Sequence, residues 1–401
     1  MIAGIWPLVA ATAALGIDAY VLAGVLPEIA ESLSTTASVV GLGVTAFTAA
    51  YALAGPLLSE RLSGGGVSRA LLVALGVFNL GNLVTAVAPG PVVFLLARAA
   101  TGAGAGIVTA VATAGAMVAR DQRGRAMAAV TFGLSLGTVA GVPAGMLIGQ
   151  NFGWRWTMGL VVAVGVLAMA ALLARRRSLP RDAGATAGPA FRVLRTARVR
   201  AGTVAAFMLG VSSLGLYTYL LPMADSAGLG GLGFTLVWAW GIGGVAGSAL
   251  VGRLLDRSGP RLLLVLLPAL LAAGFLVMWL VASPVVWVGA AVVWGAAGWA
   301  GVPTLQQALT VDRPESAMQV VAFQMAAMYL GSAAGSALGS VLLSSGTGAG
   351  DLAAWAVLPA LLAVVFAGAV AVDLRRGRGR DTRDRDTRGR DTRGRDTAPA
   401  R

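Results

Sequence analysis

Asp18 and Arg98 are the two ionisable side chains placed deep within long apolar runs of this 401-residue sequence. A carboxylate at mid-bilayer costs about 2.5–3.5 kcal/mol on insertion scales. Asp18 must therefore face a cavity, keep its proton, or bond to a neighbouring helix backbone. A carboxyl so placed can bind a proton from one side of a membrane and release it to the other, or hold a cationic substrate. Arg98 stays charged and needs an acceptor, which could be backbone carbonyls, Asp18 across a cavity, or an anionic substrate. His, Cys and Lys are absent. Imidazole relays, thiolate nucleophiles, disulfides and zinc-ligand sets are thereby excluded. The chain reads as no enzyme, with no metal and no cofactor beyond a proton gradient.

The elements that must position these groups follow from composition. The residues are 57% hydrophobic and only 12% charged, about half the charge of a soluble domain. Apolar runs predict helices near 5–26, 39–60, 70–88, 92–118, 126–150 and 156–174. A second set follows near 200–222, 230–252, 261–282, 285–307, 317–343 and 352–373. Lipid offers the backbone no hydrogen-bond partner, so runs of this length must be helical. The fold class expected is an all-α membrane protein of twelve helices in two pseudo-symmetric six-helix bundles. The N-terminal bundle is 1–174, the linker 175–199 and the C-terminal bundle 200–373. Residues 374–401, rich in Arg and Asp, form a tail expected to be disordered.

All 30 cations are Arg, and the net charge is +13. Apart from Arg98 and Arg155, every Arg falls in alternate connections, the linker or the tail. The positive-inside rule then predicts a cytoplasmic membrane location with both termini cytoplasmic. Topology explains the basic excess, so nucleic acid is not an expected partner; the bilayer is.

An internal repeat supports the two halves. Gly55 and Arg61, with Arg69 and Leu71-Leu72 following, recur as Gly247 and Arg253, with Arg261 and Leu263-Leu264. Gly133, Gly137, Gly141, Gly145 and Gly149 repeat every fourth residue in the fifth run. Gly331, Gly335 and Gly339 do so in the eleventh. Glycines at this spacing let another helix approach closely, and Pro143 among them removes a backbone donor and softens the helix. Two parallel repeats are a layout of secondary transporters.

These motifs resemble the major facilitator superfamily. The resemblance rests on the end of the second run with its Arg, on Arg98-x-x-x-Gly102-x-Gly104-x-Gly106, and on the stretch GLSLGTVAGVPAGMLIGQNFGWRW. The last is similar to the glycine-proline antiporter motif of the twelve-helix drug:proton antiporters, notably chloramphenicol-efflux and arabinose-efflux-like permeases. Asp18 to Ala30 resembles that family's first-helix signature, and 121–128 its entry to the fifth helix. Two departures stand out. The first loop copy has Ser63 to Gly66 where the family usually has an Asp, whereas the second keeps Asp256. The first-helix acid is displaced by one position, with Ala19 at the usual site.

The resemblance implies proton-coupled efflux of a small amphipathic compound, such as an antibiotic, by alternating access in a monomer. A sugar or metabolite transporter of the same fold is the alternative. It further implies that Asp18 and Arg98 couple the proton. Gly133, Gly137, Gly141, Pro143 and Gly145 would form a conformational motif packed on the other half. Arg61, Arg69, Asp121, Arg253, Asp256 and Arg261 would form cytoplasmic gating loops. Apolar pockets for such compounds need aromatic and a few polar groups, and the spans offer Phe47, Asn79, Asn82, Trp240, Trp294, Trp299 and others. Tyr51, Tyr217 and Gln306 are the cavity residues that the family's cavity-lining helices favour.

Overall fold

A computed structural model describes residues 6–63, 66–118, 133–134, 136–175, 194–311 and 316–395. The first half contains α1 (Trp6–Gly24), α2 (Leu26–Ser32), α3 (Ala37–Ser63), α4 (Val67–Ala86), α5 (Pro91–Val118), α6 (Val142–Phe152) and α7 (Trp154–Ala174). The second contains α8 (Ala197–Leu209), α9 (Leu220–Ser226), α10 (Gly233–Ser258), α11 (Pro260–Leu280), α12 (Pro284–Thr310), α13 (Ala317–Ser344) and α14 (Leu352–Arg395). Wider π-type turns at Gly137–Gly141 and Gly210–Gly215 run into α6 and out of α8. Among the described residues ten helices are long and apolar enough to cross a bilayer, or eleven when α8 and α9, bent by 53°, are taken as one span. The expected fifth crossing is described from Gly133 onward, apart from residue 135.

Local chemistry sets where the helices start and stop. Pro91, Pro260 and Pro284 open helices at positions whose N–H would have no intrahelical partner. Gly153, at φ 93°, makes the turn between α6 and α7 with a backbone that side chains rarely adopt. Many large apolar residues, such as Leu57, Leu80, Leu96, Leu262 and Val285, are exposed on the outer surface. Helices apolar all round suit a lipid solvent. Helix α14 runs past the start of the expected tail at 374 and reaches Arg395.

The pairings within the first half recur in the second. Helix α3 packs on α5 as α10 packs on α12; α4 packs on α5 and α7 as α11 packs on α12 and α14. Likewise α1 packs on α7 and the fifth crossing as α8 packs on α14 and α13. The register agrees too. Gly133 and Gly137 sit against the carbonyls of Val9 and Ala13, while Gly331 and Gly335, each 198 residues later, sit against those of Phe207 and Val211, also 198 later.

This register corrects the expected packing partner of the glycine stripe. Gly133, Gly137, Gly141 and Gly145 face Val9, Ala13, Ile17 and Val21 of α1, in the same half. Residues four apart share one helix face, and here that face closes the bundle on itself. Contact with the other half is left to the remaining surface, where Gly137–Gly141 and α6 touch α10. Pro143 is buried at the start of α6, directly after the π-type turn. A Cβ on Gly137 would overlap the Ala13 backbone, whereas one on Gly76 would meet no heavy atom within 4 Å. Gly137→Ala should therefore cost about 1–3 kcal/mol through overpacking. Gly76→Ala should be neutral or stabilising. Thermal unfolding of the two purified variants checks this, and equal midpoints would contradict it.

Candidate functional site

Asp18 and Arg98 meet. Arg98 Nη1 donates to Asp18 Oδ1 at 2.6 Å, and the pair is buried, with 0% and 1% of the side chains exposed. Of the acceptors open to Arg98, the structure selects the carboxylate. The guanidinium also lies over the Phe47 ring of α3, 4.5 Å from its centre, a favourable cation–π placement. Asn82 of α4 offers its Oδ1 to the same Nη1 at 3.4 Å. Four helices thus converge on one charge pair, and the second carboxylate oxygen, Asp18 Oδ2, has no hydrogen-bond partner.

The equivalent helices of the second half hold no such pair. There Trp294 Nε1 of α12 donates to Ser213 Oγ at 2.8 Å, with Phe275 of α11 edge-on to Trp294 at 5.0 Å between ring centres. The repeat preserves packing and restricts the charge to one bundle.

Tyr20 follows Asp18 by two residues, which is about 200° around a helix. As Asp18 faces α5, Tyr20 faces the second half. Its ring packs near Tyr217 at 5.8 Å, Trp240 at 5.3 Å and Trp299 at 6.1 Å. Tyr217 and Trp240 approach to 4.2 Å. Beside this cluster a narrow cavity between the halves is bounded by Tyr20, Thr48, Tyr217, Thr218, Tyr329 and Ser332. Its free space is about that of one or two waters, so a larger occupant must displace the rings. The hydroxyls of Tyr217 and Thr218 and the indole N–H of Trp240 are buried without a partner.

The other expected site residues distribute as follows. Tyr217 lines the cavity. Tyr51 stacks on Tyr329 at 4.1 Å and donates to Thr109 Oγ1 at 2.9 Å, so it supports the cavity wall from behind. Gln306 does not reach the cavity: it lies one turn from the end of α12, its carbonyl accepting from Thr310. The middle of that 27-residue helix is nearer Trp294 and Trp299. Arg69, Arg253 and Asp256 are exposed and Arg261 is half-buried, donating to the Leu374 carbonyl at 2.9 Å. No interlock among these four is formed. Asp121 and the side chain of Arg61 lie outside the described residues. Tyr20 and Tyr329 were missed as cavity residues. Tyr329 precedes Gly331 by two residues, so it lies opposite the packing stripe, a signal available in the sequence.

At the Arg-poor end the halves are sealed along α3 and α13. Ser38 Oγ donates to the Ser340 carbonyl at 2.8 Å and lies 2.7 Å from Ser340 Oγ; Thr45 Oγ1 and Ser336 Oγ are 2.6 Å apart. Gly41 leaves room for the Tyr219 hydroxyl, which donates to the Ser336 carbonyl at 2.6 Å. The pseudo-symmetric contact, between α10 and the fifth crossing, is described from Gly133 onward, where Gly137–Gly141 and α6 touch α10. Because the chain has no Cys, the double variant Ser38→Cys/Ser340→Cys should form a single disulfide on mild oxidation. It should arrest transport until a reductant is added; full transport with the disulfide formed would refute a seal that opens.

A multi-pass helical membrane protein of two repeated bundles, with a buried charge pair beside an interface cavity, is the class that this geometry defines. The profile of the Major Facilitator Superfamily matches residues 8–336, and the chain belongs to that family. A chloramphenicol resistance protein of Streptomyces lividans is 31% identical over 352 residues, spanning 85% of this chain and 89% of its own. The inner membrane transport protein YdhP of Escherichia coli K12 is 30% identical over 339 residues, 81% of this chain and 85% of its own. The purine ribonucleoside efflux pump NepI of Escherichia coli is 27% identical over 331 residues, 80% and 82%. Among solved structures, a bacterial homologue of the human lysosomal transporter Spinster, inward-facing and unoccupied, superposes with a TM-score of 0.67 at 17% identity. It covers 92% of this chain and 93% of that one. The fold agrees with the sequence expectation, and the chain is a transporter by family.

Proposed function

We propose that this protein exports a small amphipathic compound, such as an antibiotic, in exchange for protons. The reading rests above all on the buried Asp18–Arg98 pair, because Asp18 is the one fully buried carboxyl group among the described residues. Helix α1 carries Asp18 on one face and Tyr20 on the other. Making or breaking the ion pair shifts α1, and any rotation of α1 moves Tyr20 in the cavity. Proton and substrate thus compete through one helix rather than for one atom. With the Arg-rich end in the cytoplasm and both termini there, the hydroxyl seam between α3 and α13 faces outward. Substrate then enters from the cytoplasm while Asp18 is ionised. After reorientation, a proton from outside neutralises Asp18, α1 relaxes, and the substrate leaves. The exporter works in the cytoplasmic membrane as a monomer, with the proton gradient as its energy source.

A second reading, export of a metabolite such as a nucleoside, is favoured by the relation to a purine ribonucleoside pump and by the ring-and-hydroxyl lining of Tyr217, Thr48 and Ser332. Expression in a pump-deficient host, challenged with amphipathic antibiotics, nucleoside analogues and toxic sugar analogues, separates the two. Raised resistance to antibiotics that Tyr217→Ala removes supports the first. Protection against nucleoside analogues alone supports the second, and protection against neither class rejects both.

A further inference from the structure

Asn82 is fully buried on α4, and its side-chain oxygen lies 3.4 Å from the Arg98 nitrogen that binds Asp18 at 2.6 Å. That nitrogen carries two N–H bonds, so it serves the carboxylate closely and the amide at longer range, and the amide remains as an acceptor when the carboxylate is neutralised. We propose that Asn82 is the acceptor to which Arg98 is handed when Asp18 takes up its proton, and that it thereby sets how readily the proton binds. The inference rests on the proton-exchange reading above.

The groups facing the pair limit the alternatives. Helix α3 supplies the Phe47 ring, α4 supplies Asn82, and α5 supplies Arg98 itself. Asn79, one turn before Asn82, packs against Gly165 of α7 and has no partner at either end of its amide. Among the described residues no other charged side chain touches the pair. When a proton adds to the carboxylate, an O–H bond forms and nothing leaves. The guanidinium keeps its charge but loses its counter-ion in an apolar interior, a costly state. The Asn82 carbonyl, about 0.5 Å beyond ordinary hydrogen-bond length, needs only a small approach to replace it. Phe47 already covers one face of the cation. Removing the Asn82 carbonyl leaves the ion pair intact, costs the ionised state a long hydrogen bond and the protonated state a close one, so more acid is needed to reach the latter.

The test is infrared difference spectroscopy of the full-length protein in liposomes, following the protonated carboxyl C=O band against pH without substrate. Its loss in Asp18→Asn assigns the band. Asn82→Leu should move the band's midpoint down by about one pH unit, a tenfold higher proton concentration. Asn82→Gln, which keeps the carbonyl, should restore it, and Asn79→Leu should leave it in place. If Asn82→Leu fails to fold, Asn82→Thr, whose hydroxyl is too short to reach Arg98, should show the same downward move. A retained band with an unmoved midpoint in the variant lacking the carbonyl overturns the handover alone. The absence of any titrating Asp18 band in the unaltered protein overturns the proton-exchange reading beneath it.

Discussion

Asp18→Asn should leave a folded protein that no longer couples export to protons. The substituted amide is nearly isosteric and its oxygen can still accept from Arg98, so the buried cation is not stranded. The proton-carrying group is gone. In everted vesicles acidified inside, substrate accumulation should fall at least about tenfold, the gradient that one proton can sustain across one pH unit. Size-exclusion behaviour should match the unaltered protein. Undiminished acid-driven accumulation would remove Asp18 from the mechanism.

Arg98→Leu should be the more damaging change. It leaves Asp18 buried without a counter-ion, and removing one partner of a buried pair costs about 3–5 kcal/mol. That is a large share of the margin by which a domain is stable. The expected result is low membrane yield and a depressed thermal midpoint at neutral pH. The sign with pH follows from the charge. The lone carboxyl is tolerated once it is neutral, so the variant should gain stability as pH falls. Asp18→Asn/Arg98→Leu removes both charges and should recover most of the yield while remaining inactive. A single variant as stable as the unaltered protein at neutral pH would show that the pair does not anchor α1 to α5.

The sequence made the crossings legible because lipid-facing helices are apolar all round, and Leu80, Leu96 and Leu262 announce that directly. It also singled out Asp18 and Arg98, since a charge inside an apolar run is conspicuous. Their contact was not legible. The two are 80 residues apart, and backbone carbonyls or a substrate would have served Arg98 as well. The glycine stripe was visible as a stripe, yet spacing does not say which neighbour it faces; the Ala13 and Val211 backbones decide that. Gln306 was misplaced because helix membership was used without depth along the helix. Tyr20 and Tyr329 escaped because their signal is angular, two residues from a group whose facing became known only from the packing.

The central claim is that one carboxyl on α1 exchanges its proton as the two bundles reorient. Purified protein in liposomes, loaded with a transported compound identified from the resistance panel, tests it most directly when uptake is measured with and without an imposed pH difference. The account predicts accumulation against a concentration gradient only when a proton gradient of the opposing direction is present, with an accompanying proton flux that Asp18→Asn abolishes. Equal movement of the compound with no pH difference, and no proton flux, would contradict it.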